Sequence, residues 1–224
     1  MASSRGVVIA IDGPAGAGKS TVAKALAREL ELRYLDTGAM YRALALKAGR
    51  KGFGPLDGDD VAALGPSTRI DFEPGEPQRV ILDGEDVTDA IRTASIGQLA
   101  SELSTHAGVR KVLVQRQKEV VAHGGVILEG RDVTTVVAPN ADLKVYLTAS
   151  LEERAGRRLR EFCAKGVTAE FSRVRHDMEE RDHRDITRGD SPLTVAEDAH
   201  IVDSAHMSPE DVVAAIRALL SSLP

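Results

Sequence analysis

Gly13-Pro14-Ala15-Gly16-Ala17-Gly18-Lys19-Ser20 is a glycine-rich run closed by a lysine and a hydroxyl, spaced as G-x-x-x-x-G-K-[ST]. Glycines let successive backbone N–H groups curl around a polyphosphate without side-chain clashes, and a following helix adds the field of its N-terminus. In such a loop the backbone of Gly13, Gly16, Ala17 and Gly18 cradles ATP phosphates. Lys19 reaches the β- and γ-phosphates, the Ser20 hydroxyl binds Mg²⁺, and Thr21 adds a hydroxyl toward the α-phosphate. The run follows Val7-Val8-Ile9-Ala10-Ile11, an unbroken apolar strand, and precedes Val22, Ala23, Leu26, Ala27 and Leu30 at helical spacing. That strand–loop–helix order separates a nucleotide site from a bland glycine turn.

Other charged residues fall where such a site would use them. Glu129 ends the apolar run Val126-Ile127-Leu128, where a parallel-sheet crevice receives a side chain. There it would hold Mg²⁺ through water or orient a phosphate-binding side chain. Asp12 has a similar location. Arg42, Arg110, Arg131, Arg181 and Arg188 lie on segments expected to meet at the C-terminal edge of the sheet, and phosphoryl transfer needs cations on both sides of the moving group. Arg154, Arg157 and Arg158 stand at i, i+3 and i+4 of one helix face. Like charges so placed disfavour an isolated helix by about 0.2–0.5 kcal/mol per pair, which points to a mobile lid facing ATP phosphates. Glu153 and Glu161 offer the competing explanation of surface ion pairs. His123 and His183 have no metal-ligand set around them, and the lone Cys163 reads as an incidental small side chain.

The elements that position these residues are those of an α/β protein. Strands at Val7–Ile11, Arg33–Leu35, Val126–Leu128, Leu143–Leu147 and His200–Val202 make a parallel five-stranded sheet sandwiched by helices, a P-loop NTPase-type architecture. Helices are expected at Ser20–Leu32, about Ala39–Ala48, along the stripes Ile96-Leu99-Leu103 and Val109-Val112-Leu113-Val120, and after Ser208, an N-cap followed by Pro209. Lys51–Asp60 reads as a loop. Short strands at Thr68–Phe72, Gln78–Leu82 and Glu85–Val87, separated by Glu73-Pro74-Gly75-Glu76-Pro77 and Asp83-Gly84, read as a small antiparallel insert over 67–93. Helices at Leu151–Lys165 and Thr168–Arg184 form the lid. The domain reading is a core over 1–66, 94–150 and 189–224, the insert at 67–93, and the lid with its adjoining acceptor-binding helix at 151–188.

Composition removes other classes. The 224 residues are 42% hydrophobic and 28% charged, enough for a sizeable core, with a formal net charge of −5. That charge and only seven aromatic residues, four Phe and three Tyr, argue against a polymeric nucleic acid as partner. No run approaches the ~18 apolar residues of a membrane span, no secretory signal is evident, and one cysteine cannot make an intrachain disulfide. The expectation is a cytoplasmic monomer with no membrane or obligatory protein partner.

Together with the phosphate loop, Asp36-Thr37-Gly38-Ala39-Met40-Tyr41-Arg42, Glu129-Gly130-Arg131-Asp132 and Arg181-Asp182-His183-Arg184-Asp185 resemble the bacterial cytidylate kinases of the nucleoside monophosphate kinase family. The resemblance covers almost the whole chain, the insert included. It implies transfer of the ATP γ-phosphoryl group to CMP or dCMP with Mg²⁺, giving ADP and CDP or dCDP. By resemblance, Arg42, Arg131 and Arg188 hold the acceptor phosphate, and Ser101, Arg110 and Asp132 face the cytosine edge. Asp185, helped by Arg181, meets the sugar hydroxyls, while Asp36, Thr37 and Tyr41 shape the acceptor side. Arg157 contacts ATP, and Arg157 and Arg158 act with Lys19, Arg131 and Arg188 on the transferred phosphate. The chain departs from the family pattern at Glu129, often Asp, at Thr134, commonly glycine, and at His183, frequently an acid. A kinase of another small acceptor (UMP, dTMP or a sugar-like acid) is the nearest alternative, and a non-catalytic ATP-dependent switch the next.

Overall fold

A computed structural model describes residues 6–73, 75, 77–164 and 166–223. Pro74 and Glu76 of the expected turn, and Lys165 at the expected end of a lid helix, lie outside the described residues. In chain order the first elements are β1 (Val8–Asp12), α1 (Lys19–Glu29), β2 (Arg33–Asp36), α2 (Thr37–Arg50) and α3 (Gly58–Leu64). Next come β3 (Ile70–Glu73), β4 (Arg79–Leu82), β5 (Glu85–Asp86), α4 (Ala94–Leu103), α5 (Ala107–Ala122) and β6 (Val126–Gly130). The chain continues through β7 (Leu143–Thr148), α6 (Leu151–Ala164), α7 (Phe171–Thr187), β8 (His200–Asp203) and α8 (Pro209–Ser221). Five strands form a sheet in the order β2-β6-β1-β7-β8, and three form a second sheet, β3-β4-β5. The expected parallel α/β fold with a small antiparallel insert is what the chain adopts.

The structure divides into two compact units, one of residues up to Tyr34 and from His123 onward, the other Leu35–Ala122. In the first, β1 runs parallel to β6 and β7, and β7 parallel to β8. Every residue of β1 and β6 is buried, as expected of strands covered on both faces. Ile9, Ile11, Leu143, Val145 and Leu147 pack with Val22 and Leu26 of α1 and Val212 and Ile216 of α8. At about 1.5–3 kcal/mol per fully buried aliphatic side chain, this layer outweighs any local propensity. The register pairs Ile11 with Glu129 and Asp12 with Gly130 and Tyr146. Residues far apart in sequence thereby end at one level of the sheet edge.

In the second unit, β3–β4 and β4–β5 are antiparallel, and Val80, Leu82, Val87 and Ile91 pack on Ala39 and Ala43 of α2. Helix α2 begins at Thr37, earlier than its apolar stripe suggests, because the Asp36 carboxylate accepts from the Ala39 N–H at 2.8 Å and caps the first turn. The stretch read as loop ends in α3, whose Val61 is fully buried. In the first unit, α7 begins at Phe171 and extends to Thr187, so Asp185 lies inside the helix and Arg188 caps it. Ser208 and Asp211 form a capping box on α8, as its Ser-Pro start implies.

Candidate active site

The phosphate loop connects β1 to α1. Gly13 and Gly16 take φ of 149° and 74°, which favours glycine at both positions, and the backbone around Gly13 leaves no room for a side chain. A Cβ on Gly13 would fall 1.9 Å from the Leu147 carbonyl oxygen, and one on Gly16 would fall 2.8 Å from Met178 Cε. Lys19 is buried, and its Nζ donates to the Gly13 and Pro14 carbonyls at 2.7 Å each. Burial and the nearby Arg131 lower its pKa to about 7, against the opposing pull of Glu129 and Asp12. Ser20 is exposed at the second residue of α1.

The loop is gripped from α6 and α7. Arg154 Nε donates to the Ala149 carbonyl at 3.0 Å, and Nη1 donates to the Ala15 carbonyl at 2.9 Å and to Asp182 Oδ2 at 2.5 Å. Asp182 Oδ1 accepts from the Ala15 N–H at 3.1 Å. Arg157 Nη1 donates to Ser204 Oγ at 3.0 Å and to the Ala17 carbonyl at 3.4 Å, while Nη2 donates to the Ser204 carbonyl. Arg158 pairs with Glu161 at 2.8 Å and stands 4.6 Å from the Phe162 ring centroid. The three arginines of one helix face thus have different partners: two reach the phosphate loop, and one makes the surface pair that the sequence also allowed.

Beyond β6, Arg131 Nε donates to Asp185 Oδ2 at 2.8 Å and Nη1 donates to the Gly130 carbonyl at 3.2 Å. Arg188 lies 3.7 Å from both Asp132 and Asp185, with Nε donating to the Ser191 carbonyl at 2.8 Å. Burial pushes the Asp185 carboxyl up, but Arg131, Arg181 and Arg188 hold it below its ordinary value. Glu129 is buried and accepts from the Tyr34 hydroxyl at 2.6 Å. Asp12 is fully buried beneath Val133 and Thr134. Burial raises its pKa and their hydrogen bonds oppose the rise.

In the second unit, Asp36 accepts from Arg42 Nη2 at 2.8 Å while capping α2, so one carboxylate aims the arginine and fixes the helix. The Arg110 guanidinium carbon stands 5.9 Å from the Tyr41 ring centroid, and Arg110, Ser101 and Thr37 are buried. Asp182, Ser204 and Tyr34 carry contacts that sequence reasoning missed. Asp182 sits inside the quoted Arg181–Asp185 motif, three residues before Asp185, and that helical spacing was the available signal. Nothing in the sequence marks Ser204 or Tyr34.

A family model described as cytidylate kinase matches residues 9–222. This chain belongs to the cytidylate kinase family. It is 47% identical to the cytidylate kinase of Pediococcus pentosaceus over 92% of this chain and 91% of the relative. It is 46% identical to that of Listeria monocytogenes over 95% of each. An uncharacterised protein from Eubacterium ventriosum superposes with a TM-score of 0.53 at 11% identity, covering 96% of this chain and 99% of the other, which is a likeness of fold. Among the described residues, no group of three His, Cys, Asp or Glu side chains is arranged for a metal ion, and no helix is long and apolar enough to cross a membrane.

Proposed function

We propose that this chain transfers the γ-phosphoryl group of ATP to CMP or dCMP, giving ADP and CDP or dCDP. The observation that carries the reading is the Asp132–Arg188–Asp185–Arg131 cluster, which shares one unit with a buried phosphate-loop lysine in a chain of this family. An oxygen of the acceptor phosphate forms the new P–O bond in line as the bond to the ADP oxygen breaks. That oxygen is already anionic, so no protein nucleophile or histidine base is needed; positioning and electrostatics supply the rate.

Lys19 moves from the loop carbonyls to the β- and γ-phosphates, and the loop N–H groups and Thr21 hold the remainder of ATP. Arg42, Arg131 and Arg188 take the acceptor phosphate. Asp132 accepts from the cytosine amino group while Ser101 and Arg110 donate to the ring. Asp185, with Arg181, meets the sugar hydroxyls, and Asp36, Thr37 and Tyr41 shape the acceptor side. Arg157 and Arg158 serve the lid, whose closure excludes water. Mg²⁺ takes hard oxygen donors and keeps sites open for phosphate and water. The Ser20 hydroxyl and the Glu129 carboxylate fit that chemistry, and the ion would neutralise phosphate charge. The enzyme acts as a cytoplasmic monomer.

ADP formation from Mg·ATP is measured with CMP, dCMP, UMP, AMP, GMP and dTMP in parallel. Stimulation by CMP and dCMP with CDP and dCDP as products is expected. Preference for another acceptor overturns the Ser101–Arg110–Asp132 assignment, and ATP binding without stimulation by any acceptor overturns the enzyme reading.

A further inference from the structure

We propose that Asp12 and Thr134 are positioning residues that hold the Arg131–Asp132 turn in register with the phosphate loop. Asp12 is the last residue of β1 and directly precedes Gly13, so its backbone is continuous with the donor loop. Its carboxylate is fully buried and spends both oxygens on one neighbour in space. Oδ1 accepts from the Val133 N–H at 3.0 Å, and Oδ2 accepts from the Thr134 N–H at 2.8 Å and the Thr134 hydroxyl at 2.6 Å. These donors open the π-helical turn Val133–Val137, immediately after Arg131 and Asp132. The turn closes on the Ala138 N–H, which donates to the Val133 carbonyl at 2.8 Å. Such wide turns are rare and need outside partners for their first N–H groups.

The geometry assigns each group a task. Strand pairing sets Asp12 level with Gly130, but it ends there, and the next two residues carry the guanidinium and carboxylate proposed for the acceptor. Arg131 and Asp132 also take direction from Asp185 and Arg188, residues that the proposed function places against the acceptor. The Asp12 bonds supply a second tie from the rigid side of the site. Thr134, also buried, adds a bond that glycine, the residue the family resemblance leads one to expect, would lack. A glycine-free turn held by three donated bonds to one charged acceptor has little freedom to pivot.

The inference rests on Arg131 and Asp132 serving the acceptor, and the experiment separates the two claims. Steady-state kcat and KM for CMP and for ATP, with thermal midpoints, are measured for Thr134→Ala, Thr134→Ser, Asp12→Asn and Asp132→Ala. Thr134→Ala is expected to raise KM for CMP roughly tenfold, the size of one lost hydrogen bond to a charged group. KM for ATP should change less than about threefold, and Thr134→Ser should restore the CMP value. Asp12→Asn, if it folds, should move KM for CMP further in the same direction. A lower midpoint with both KM values unchanged, or equal rises for ATP and CMP, overturns the proposal. Should Asp132→Ala raise KM for CMP while Thr134→Ala does not, the inference fails and the acceptor reading stands. Should Asp132→Ala leave KM for CMP unaltered, the acceptor reading fails and the inference with it.

Discussion

Replacing Asp182 with alanine should loosen the phosphate loop more than any surface change in the lid. Its side chain is 11% exposed and that of Arg154 is 8% exposed, so removing the carboxylate strands a buried guanidinium and deprives the Ala15 N–H of its acceptor. Breaking one partner of a buried pair costs about 3–5 kcal/mol. For a chain of this size that corresponds to a fall of about 6–20 °C in melting temperature. Asp182→Asn keeps an oxygen for Ala15 but loses the charge facing Arg154, and should cost about 1–2 kcal/mol. Urea unfolding of both variants, of Arg154→Met and of the double variant completes a cycle. Removing both charges together should cost markedly less than the sum of the single changes. Because the clasp holds Ala15, KM for ATP should rise more than KM for CMP. An additive cycle, or Asp182→Ala within about 1 kcal/mol of the parent, would refute the reasoning.

Lys19→Ala should reduce turnover about 10²–10³-fold with every acceptor, since it removes a cation proposed to meet the transferred phosphate; near-normal turnover would remove the lysine from the mechanism. Asp132→Ala should narrow the ratio of kcat/KM for CMP to that for UMP, because the carboxylate is proposed to accept from the cytosine amino group. An unchanged ratio counts against that contact. The Asp185 carboxyl titrates below the ordinary 3.8 in the folded protein, so its contribution to stability is full above that value and is lost as pH falls through the lower folded value. Asp185→Asn should therefore unfold at a lower temperature near neutrality, and its midpoint should decline less steeply below pH 3.8 than the parent's; parallel curves would contradict this.

Where chemistry is carried by neighbours in sequence, the candidate site was legible. The phosphate loop occupies eight consecutive residues, and the inner strands β1, β6 and β7 were readable because burial on both faces demands apolar runs such as Val126-Ile127-Leu128. The antiparallel insert was marked by its turn residues. Three features were not legible. Helix α3 is short and begins Gly-Asp-Asp, and its place depends on burying Val61. The π-helical turn after Asp132 is held by Asp12, 121 and 122 positions away. The Asp182 clasp reaches 167 residues back to Ala15 and 28 to Arg154. In the last two cases one partner is a buried carboxylate, and no local spacing announces whom it will meet.

Two further buried carboxylates, Asp132 and Asp185, explain how Arg131 and Arg188 can wait close together without substrate. Isolated buried guanidiniums would be strongly destabilising, and their mutual repulsion would splay the site. Asp185 holds Arg131 at 2.8 Å, while Asp132 and Asp185 hold Arg188 at 3.7 Å. The longer pairs are the looser ones, so the acceptor phosphate proposed above would compete with them more readily than with the Arg131–Asp185 bond. Arg131 can keep its Nε bond to Asp185 and present its Nη atoms. Desolvation and orientation of the arginines are then completed during folding rather than during transfer, the condition under which fixed charges accelerate a reaction. The acids are accordingly as much a part of the proposed phosphate site as the arginines. Removing Asp185 should therefore damage transfer even though it is assigned to the sugar and not to the moving group.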